Sequence, residues 1–186
     1  MARKSFPWTA VAAAGLALGV AGVAAGVAGR SAAAKAQVQK RRVALIGDSY
    51  AVGLGPELAK LLPQFRYEGH VGTNSSQWAD HAAGCVDCGD WLTAYRPDLT
   101  LVALGVNDGN APNSANYHTI VSALHGIGSK VVWIEPPAGV RAPVLRAVIE
   151  SLGVQVVPGA NVPLAADGLH PAGYRPWAEK IARAIS

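Results

Sequence analysis

The stretch VALIGDSYAVGL, Val43 to Leu54, decides how this chain is read. Val43 to Gly47 reads as a buried strand. Gly47-Asp48-Ser49 follows as a tight turn. A helical stretch comes next, with its body at PELAKLL, residues 56–62. An acid and a hydroxyl therefore stand where a strand becomes a helix. Such a junction can be a packing detail, a helix cap, an anion cradle or the seat of a nucleophile.

The same alternation continues to the C-terminus. Residues 65–72 read as a second strand, 98–105 as a third, 130–137 as a fourth and 154–159 as a fifth. Helical patterns fill 115–128 and 142–153, with Gly153 as a C-cap. A last helix spans 171–186, opened by Pro171. The strands are near-continuously apolar, as expected when helices cover both faces of a parallel sheet. This predicts an α/β fold: a three-layer α/β/α, flavodoxin-like doubly wound sheet of about five parallel strands.

Right-handed crossovers place every strand C-terminus on one edge. Four loops then converge there: Gly47-Asp48-Ser49, Gly72-Thr73-Asn74, Gly105-Val106-Asn107-Asp108 and Asp167-Gly168-Leu169-His170-Pro171. A serine hydroxyl is a weak nucleophile until a base removes its proton. His170 is the histidine in a loop at this edge with an acid three residues away. Asp167 is placed to orient its imidazole and stabilise the imidazolium. A tetrahedral oxyanion needs fixed donors, and the amides of Ser49 and Gly72 and the side chain of Asn107 offer them. Asp48 and Asp108 read as scaffolding. His118 and His125 sit in a helical pattern and read as surface or packing residues. His70 is a candidate substrate contact, and His81 has no assigned role.

These four blocks, GDSYAVG, HVGTNSSQW, GVND and DGLHP, resemble the SGNH hydrolases, also called GDSL-type esterases. The resemblance runs from Val43 to Ser186 with all blocks in order. It implies that Ser49 is the nucleophile, His170 the base and Asp167 its partner. Ser49, Gly72 and Asn107 then form the oxyanion hole. The implied reaction is ester hydrolysis through an acyl-enzyme, with no metal and no other cofactor. Tyr50 replaces the usual Leu of the first block, which raises the question of how its ring shapes the site.

Cys85 and Cys88 form a C-x-x-C without a thioredoxin-like context or a second ligand pair for zinc. They read as a local disulfide in an exported protein, or as two thiols in a cytoplasmic one. Trp78, Trp91 and Trp177 fit either a core or a substrate groove.

The 186 residues are 51% hydrophobic and 15% charged, enough for a packed core and unlike a disordered chain. The net charge of +4 does not mark a nucleic-acid binder, because it is unevenly spread. Residues 1–42 carry seven of the 16 basic residues and no acid, leaving nine basic against twelve acidic residues, a balance of −3, in the remainder. Residues 1–30 read as a signal peptide or N-terminal membrane anchor, residues 31–42 as a linker and residues 43–186 as the hydrolase domain. The start RKSF is close to a twin-arginine signal, and SAAAKA offers small residues for cleavage. The five basic residues after the apolar run instead suit a cytoplasm-facing domain if that run stays in the membrane.

The expected protein is therefore an exported serine esterase, periplasmic, secreted or on the cell surface. It would act on a small-molecule or polysaccharide ester, with membrane contact only through the N-terminal segment. Small size and short loops point to short acyl groups, such as acetyl on a carbohydrate or cell-wall polymer. A lipid-acting esterase or thioesterase and a non-catalytic carbohydrate-binding module remain the alternatives.

Overall fold

Alternating strand and helix segments settle into five parallel strands in a computed structural model, which describes residues 41–82 and 90–186. These fall within one compact unit, Gln39–Ser186. Strands β1 (Val43–Gly47), β2 (Phe65–Gly69), β3 (Leu99–Ala103), β4 (Lys130–Ile134) and β5 (Gln155–Val157) are ordered β2-β1-β3-β4-β5. All four pairings are parallel. The doubly wound, flavodoxin-like reading is correct. Its switch point lies between β1 and β3, where the chain leaves β1 for β2 on one side and returns to β3 on the other.

Helices α1 (Ser49–Ala59), α2 (Ser75–Ala82), α3 (Asp90–Tyr95), α4 (Ser114–Gly126), α5 (Pro143–Ser151) and α6 (Arg175–Ala184) connect or follow the strands. β1 and β3 are buried along their whole length. On one sheet face Ala44, Ile46, Val102 and Trp133 pack with Trp78 of α2, Tyr117 and Ile120 of α4 and Ile149 of α5. The alternate strand residues, such as Leu45 and Leu101, point to the other face. There α1 packs on β1 and β2 and against α6. Fully burying one such aliphatic side chain contributes about 1.5–3 kcal/mol.

Several boundaries differ from the sequence reading. α1 starts at Ser49, inside the turn that the sequence places before the helix, and ends at Ala59 rather than at residue 62. β2 stops at Gly69 because the chain turns at His70–Thr73, where Gly72 takes φ +79°. The last helix opens at Arg175, with Pro176 in its first turn, and not at Pro171. Pro171 instead makes an antiparallel bridge with Leu164. Gly153 does end α5, with φ +65°. α2 and α3 were absent from the periodicity reading. α2 is polar, but Asn74 and Gln77 cap it reciprocally: each side chain accepts from the other's backbone amide at 3.0 Å.

Cys85 and Cys88, the signal or anchor segment and most of the linker lie outside the described residues. Among the described residues no helix is long and apolar enough to cross a membrane.

Candidate active site

β1 ends in a close approach to β3. A Cβ on Gly47 would lie 1.9 Å from the Ala103 carbonyl oxygen, so only glycine fits. The next residue, Asp48, donates its amide to that same oxygen at 3.1 Å. Asp48 is also the N-cap of α1, its Oδ1 accepting from the Tyr50 amide at 2.9 Å. Ser49 is therefore not the cap. It is the first helical residue, with its hydroxyl free to turn elsewhere and its amide at the positive end of the helix.

That hydroxyl meets His170. Ser49 Oγ lies 2.8 Å from His170 Nε2, and His170 Nδ1 lies 2.7 Å from Asp167 Oδ2. A carboxylate only accepts, so Nδ1 carries the proton and Nε2 is left to accept from the serine. The other Asp167 oxygen takes the amides of Leu169 and His170, each at 2.9 Å. The bond from His170 and these two amides hold the Asp167 carboxyl down at about 2. The loop itself is pinned at its base: Ala165 N–H donates to the His170 carbonyl at 2.7 Å, and Ala172 N–H to the Pro163 carbonyl at 2.8 Å. The site is open. The His170 side chain is 31% exposed and that of Asp167 50%.

Asn107 stands on a short 3₁₀ turn, Val106–Asp108, after β3. Its Nδ2 donates to the Thr73 carbonyl at 2.8 Å and reaches Asp48 Oδ2 only at 3.5 Å. The Thr73 bond joins the second and third loops directly. Asp108 braces them further: Oδ1 accepts from the Ser75 amide at 2.9 Å and Oδ2 from the Tyr117 hydroxyl. Gly72 is exposed, and a Cβ there would meet nothing, so its positive φ rather than a close neighbour explains the glycine. Asp48 is fully buried. Burial drives its carboxyl up to about 7, against the opposing pull of the Tyr50 and Gly105 amides.

Tyr50 answers the question its position raised. It is 2% exposed, with its hydroxyl on the Leu169 carbonyl and its ring edge-on to His170. It is a buried strut, not an exposed wall. Trp78 and Trp177 are core residues. Trp91 is partly buried, and its indole N–H donates to Glu68. His118 and His125 lie on the solvent side of α4. His70 pairs with Glu68 at 2.7 Å, a partner that sequence spacing did not reveal, since His70 lies just past the end of β2. A separate surface cavity of about 460 Å³ runs along β2, lined by Phe65, Tyr67, Glu68 and Trp91 among others.

No protein-family model matches the chain, and no curated protein matches it. Solved structures do. A GDSL-like lipase of Bacteroides thetaiotaomicron superposes with a TM-score of 0.58 at 18% identity, over 78% of this chain and 87% of that one. The fold is that of a GDSL-type hydrolase. The catalytic domain of a Streptococcus pneumoniae peptidoglycan O-acetyltransferase gives 0.55 at 18%, over 78% and 92%. An acetyl-xylooligosaccharide esterase of Geobacillus stearothermophilus gives 0.54 at 17%, over 78% and 94%. Catalytic mutants of that esterase at a histidine and at a serine also superpose, at 0.50 and 0.53.

Proposed function

We propose that this chain is a serine esterase that hydrolyses carboxyl esters through an acyl-enzyme. The observation that carries the reading is the unbroken chain Ser49 Oγ, His170 Nε2, His170 Nδ1, Asp167 Oδ2, with links of 2.8 and 2.7 Å. Ser49 Oγ attacks the ester carbonyl as His170 takes its proton. Asp167 stabilises the resulting imidazolium. The tetrahedral oxyanion is held by the amides of Ser49 and Gly72 and by Asn107. Asn107 can serve by releasing its long 3.5 Å contact to Asp48 while keeping the Thr73 bond. His170 then protonates the leaving alcohol, and water repeats the cycle on the acyl-enzyme.

The preferred substrate class is a short acyl ester, acetyl on a carbohydrate or cell-wall polymer. The exposed His170 and Asp167 support it, since an open site gives a long acyl chain little apolar surface. The acetyl-esterase and peptidoglycan acetyltransferase neighbours point the same way. Export, by signal peptide or with the N-terminal segment as an anchor, would put the site beside such a polymer.

The test uses the full-length protein with a chromogenic acetate ester, a serine-directed phosphonate, acetylated polysaccharide and long-chain lipid esters. Turnover and labelling are expected, and both should disappear in Ser49→Ala, with kcat down by about 10³-fold or more. Absence of turnover and labelling in the wild type would show a binding module that shares the fold. Preference for lipid esters over polysaccharide acetate would sink the substrate assignment.

A further inference from the structure

The peptide between Leu169 and His170 is held at both ends. Its N–H donates to Asp167 Oδ1 at 2.9 Å, and its carbonyl accepts from the Tyr50 hydroxyl at 3.1 Å. A peptide unit is planar, so fixing both polar atoms fixes the plane and with it the direction in which His170 leaves the backbone. The Tyr50 ring adds a second constraint. Its centroid lies 5.7 Å from that of the imidazole, at 70°. The ring is held in turn by Trp177 of α6, edge-on at 5.2 Å and 83°, and Trp177 is fully buried. Tyr174 stacks on Trp177 at 6.2 Å.

This strut matters because the loop it reaches is otherwise exposed. Asp167 and Gly168 face solvent, and Gly168 adopts φ +67°. Apart from the His170–Ser49 contact itself, the other hydrogen bonds described on this loop run to groups within the loop or at its base. Tyr50 instead belongs to the first turn of α1, directly after Ser49. Its own amide is tied to Asp48. One residue therefore spans from the nucleophile's helix to the base's loop.

We propose that Tyr50 is the positioning residue for His170. Its hydroxyl locks the Leu169–His170 peptide, and its ring backs the imidazole, so that Nε2 faces Ser49 Oγ. The leucine usual at this position in GDSL-type sequences fills space but cannot donate. Burial, with the Asp48 charge next, pushes the phenol well above its ordinary value, which keeps the donor proton in place at any working pH. The assignment rests on the esterase reading for its kinetic consequence but not for its geometry.

Tyr50→Phe in the full-length protein keeps the ring and removes the donor; Tyr50→Leu removes both donor and ring. Three quantities are read: kcat and KM per titrated active site on a short acetate ester, the thermal midpoint, and the His170 Nδ1–H resonance in histidine-labelled protein. Tyr50→Phe should lower kcat about tenfold or more with KM within about twofold, because small misplacement of a reacting group is costly. The Nδ1–H signal should broaden through faster exchange, and Tyr50→Leu should do both more strongly. Unchanged kcat per active site with an unchanged resonance overturns the proposal, even if the midpoint drops. So does a loss of kcat with the resonance intact. A wild type that turns over no ester and takes no phosphonate removes the esterase reading, and the resonance alone then decides whether Tyr50 positions His170.

Discussion

Asp48 and Ser49 divide two tasks between neighbouring side chains. Asp48 caps α1, so the Ser49 hydroxyl is left for His170. Asp167 is anchored by two backbone amides and is thereby aimed at Nδ1. With its carboxyl held at about 2 from an ordinary 3.8, Asp167 stays charged as pH falls until well below 4. Protonation of Asp167 therefore does not set the acid side of the activity profile above about pH 4. Asp167→Asn keeps the shape but presents an amide NH₂ that competes for the wrong imidazole tautomer. We expect kcat to fall by roughly 10²–10⁴-fold with KM little changed, measured on the acetate ester. Equal losses in kcat and in folded fraction would mean that Asp167 only holds the loop. At this scale the candidate residues were legible, because a base must have an acid and a serine at the right edge. The Asp48 cap and the Tyr50 strut were not, because each depends on which way a side chain turns at a junction.

The elements show the same division. β1 was readable from the run VALIG and its bounds match, whereas β3, read as 98–105, runs Leu99–Ala103 with Thr100 among four apolar residues. α1 carries two glycines in SYAVGLG that lower helix propensity. Packing requires them: a Cβ on Gly53 would lie 2.2 Å from the Tyr174 ring, and one on Gly55 2.2 Å from the Tyr67 ring. Polar α2 escaped a search for apolar periodicity, yet its NSSQ start is a capping box that sequence inspection can find. Gly47 is the tightest joint between elements. Gly47→Ala would set a methyl 1.9 Å from backbone, which cannot swing aside as a side chain can. The expected result is destabilisation above the common 0.5–3 kcal/mol range, about 4 kcal/mol or more, together with lost activity in the folded remainder. Denaturant melts and phosphonate labelling check both; a near-neutral variant would show that β1 and β3 can separate there.

For the whole molecule, the sheet order puts β1 and β3 side by side at the switch point and encloses Asp48 between their loops. That enclosure has a measurable consequence for stability. Burial lifts the Asp48 carboxyl from 3.8 to about 7, with the charges of His170 and Asp108 nearby pulling in opposite directions. Between those values the folded chain holds a proton that the unfolded chain releases. The favourable contribution is thus full below about pH 4 and is lost as pH rises through 7. Relative to Asp48→Asn, wild-type unfolding free energy should fall by something on the order of a few kcal/mol from pH 4 to 8, read from urea midpoints across that range. A difference that does not vary with pH would show that Asp48 ionises in the folded state as freely as in water.

Fold class and strand count were determined by the sequence alone, which also singled out the serine, the histidine and its acid as candidates. Their signals are local: apolar runs of strand length, glycines at turns, and an acid three residues before a histidine. Which groups face one another was decided only by the tertiary structure. Crossing from Ser49 to His170 spans more than a hundred residues, and that 2.8 Å contact exists because parallel strands bring distant loops to one edge. The cap at Asp48, its burial and the reach of Tyr50 to Leu169 arise in the same way. They are properties of the enclosed edge, where side-chain direction and loss of water, rather than residue type, set what each group does.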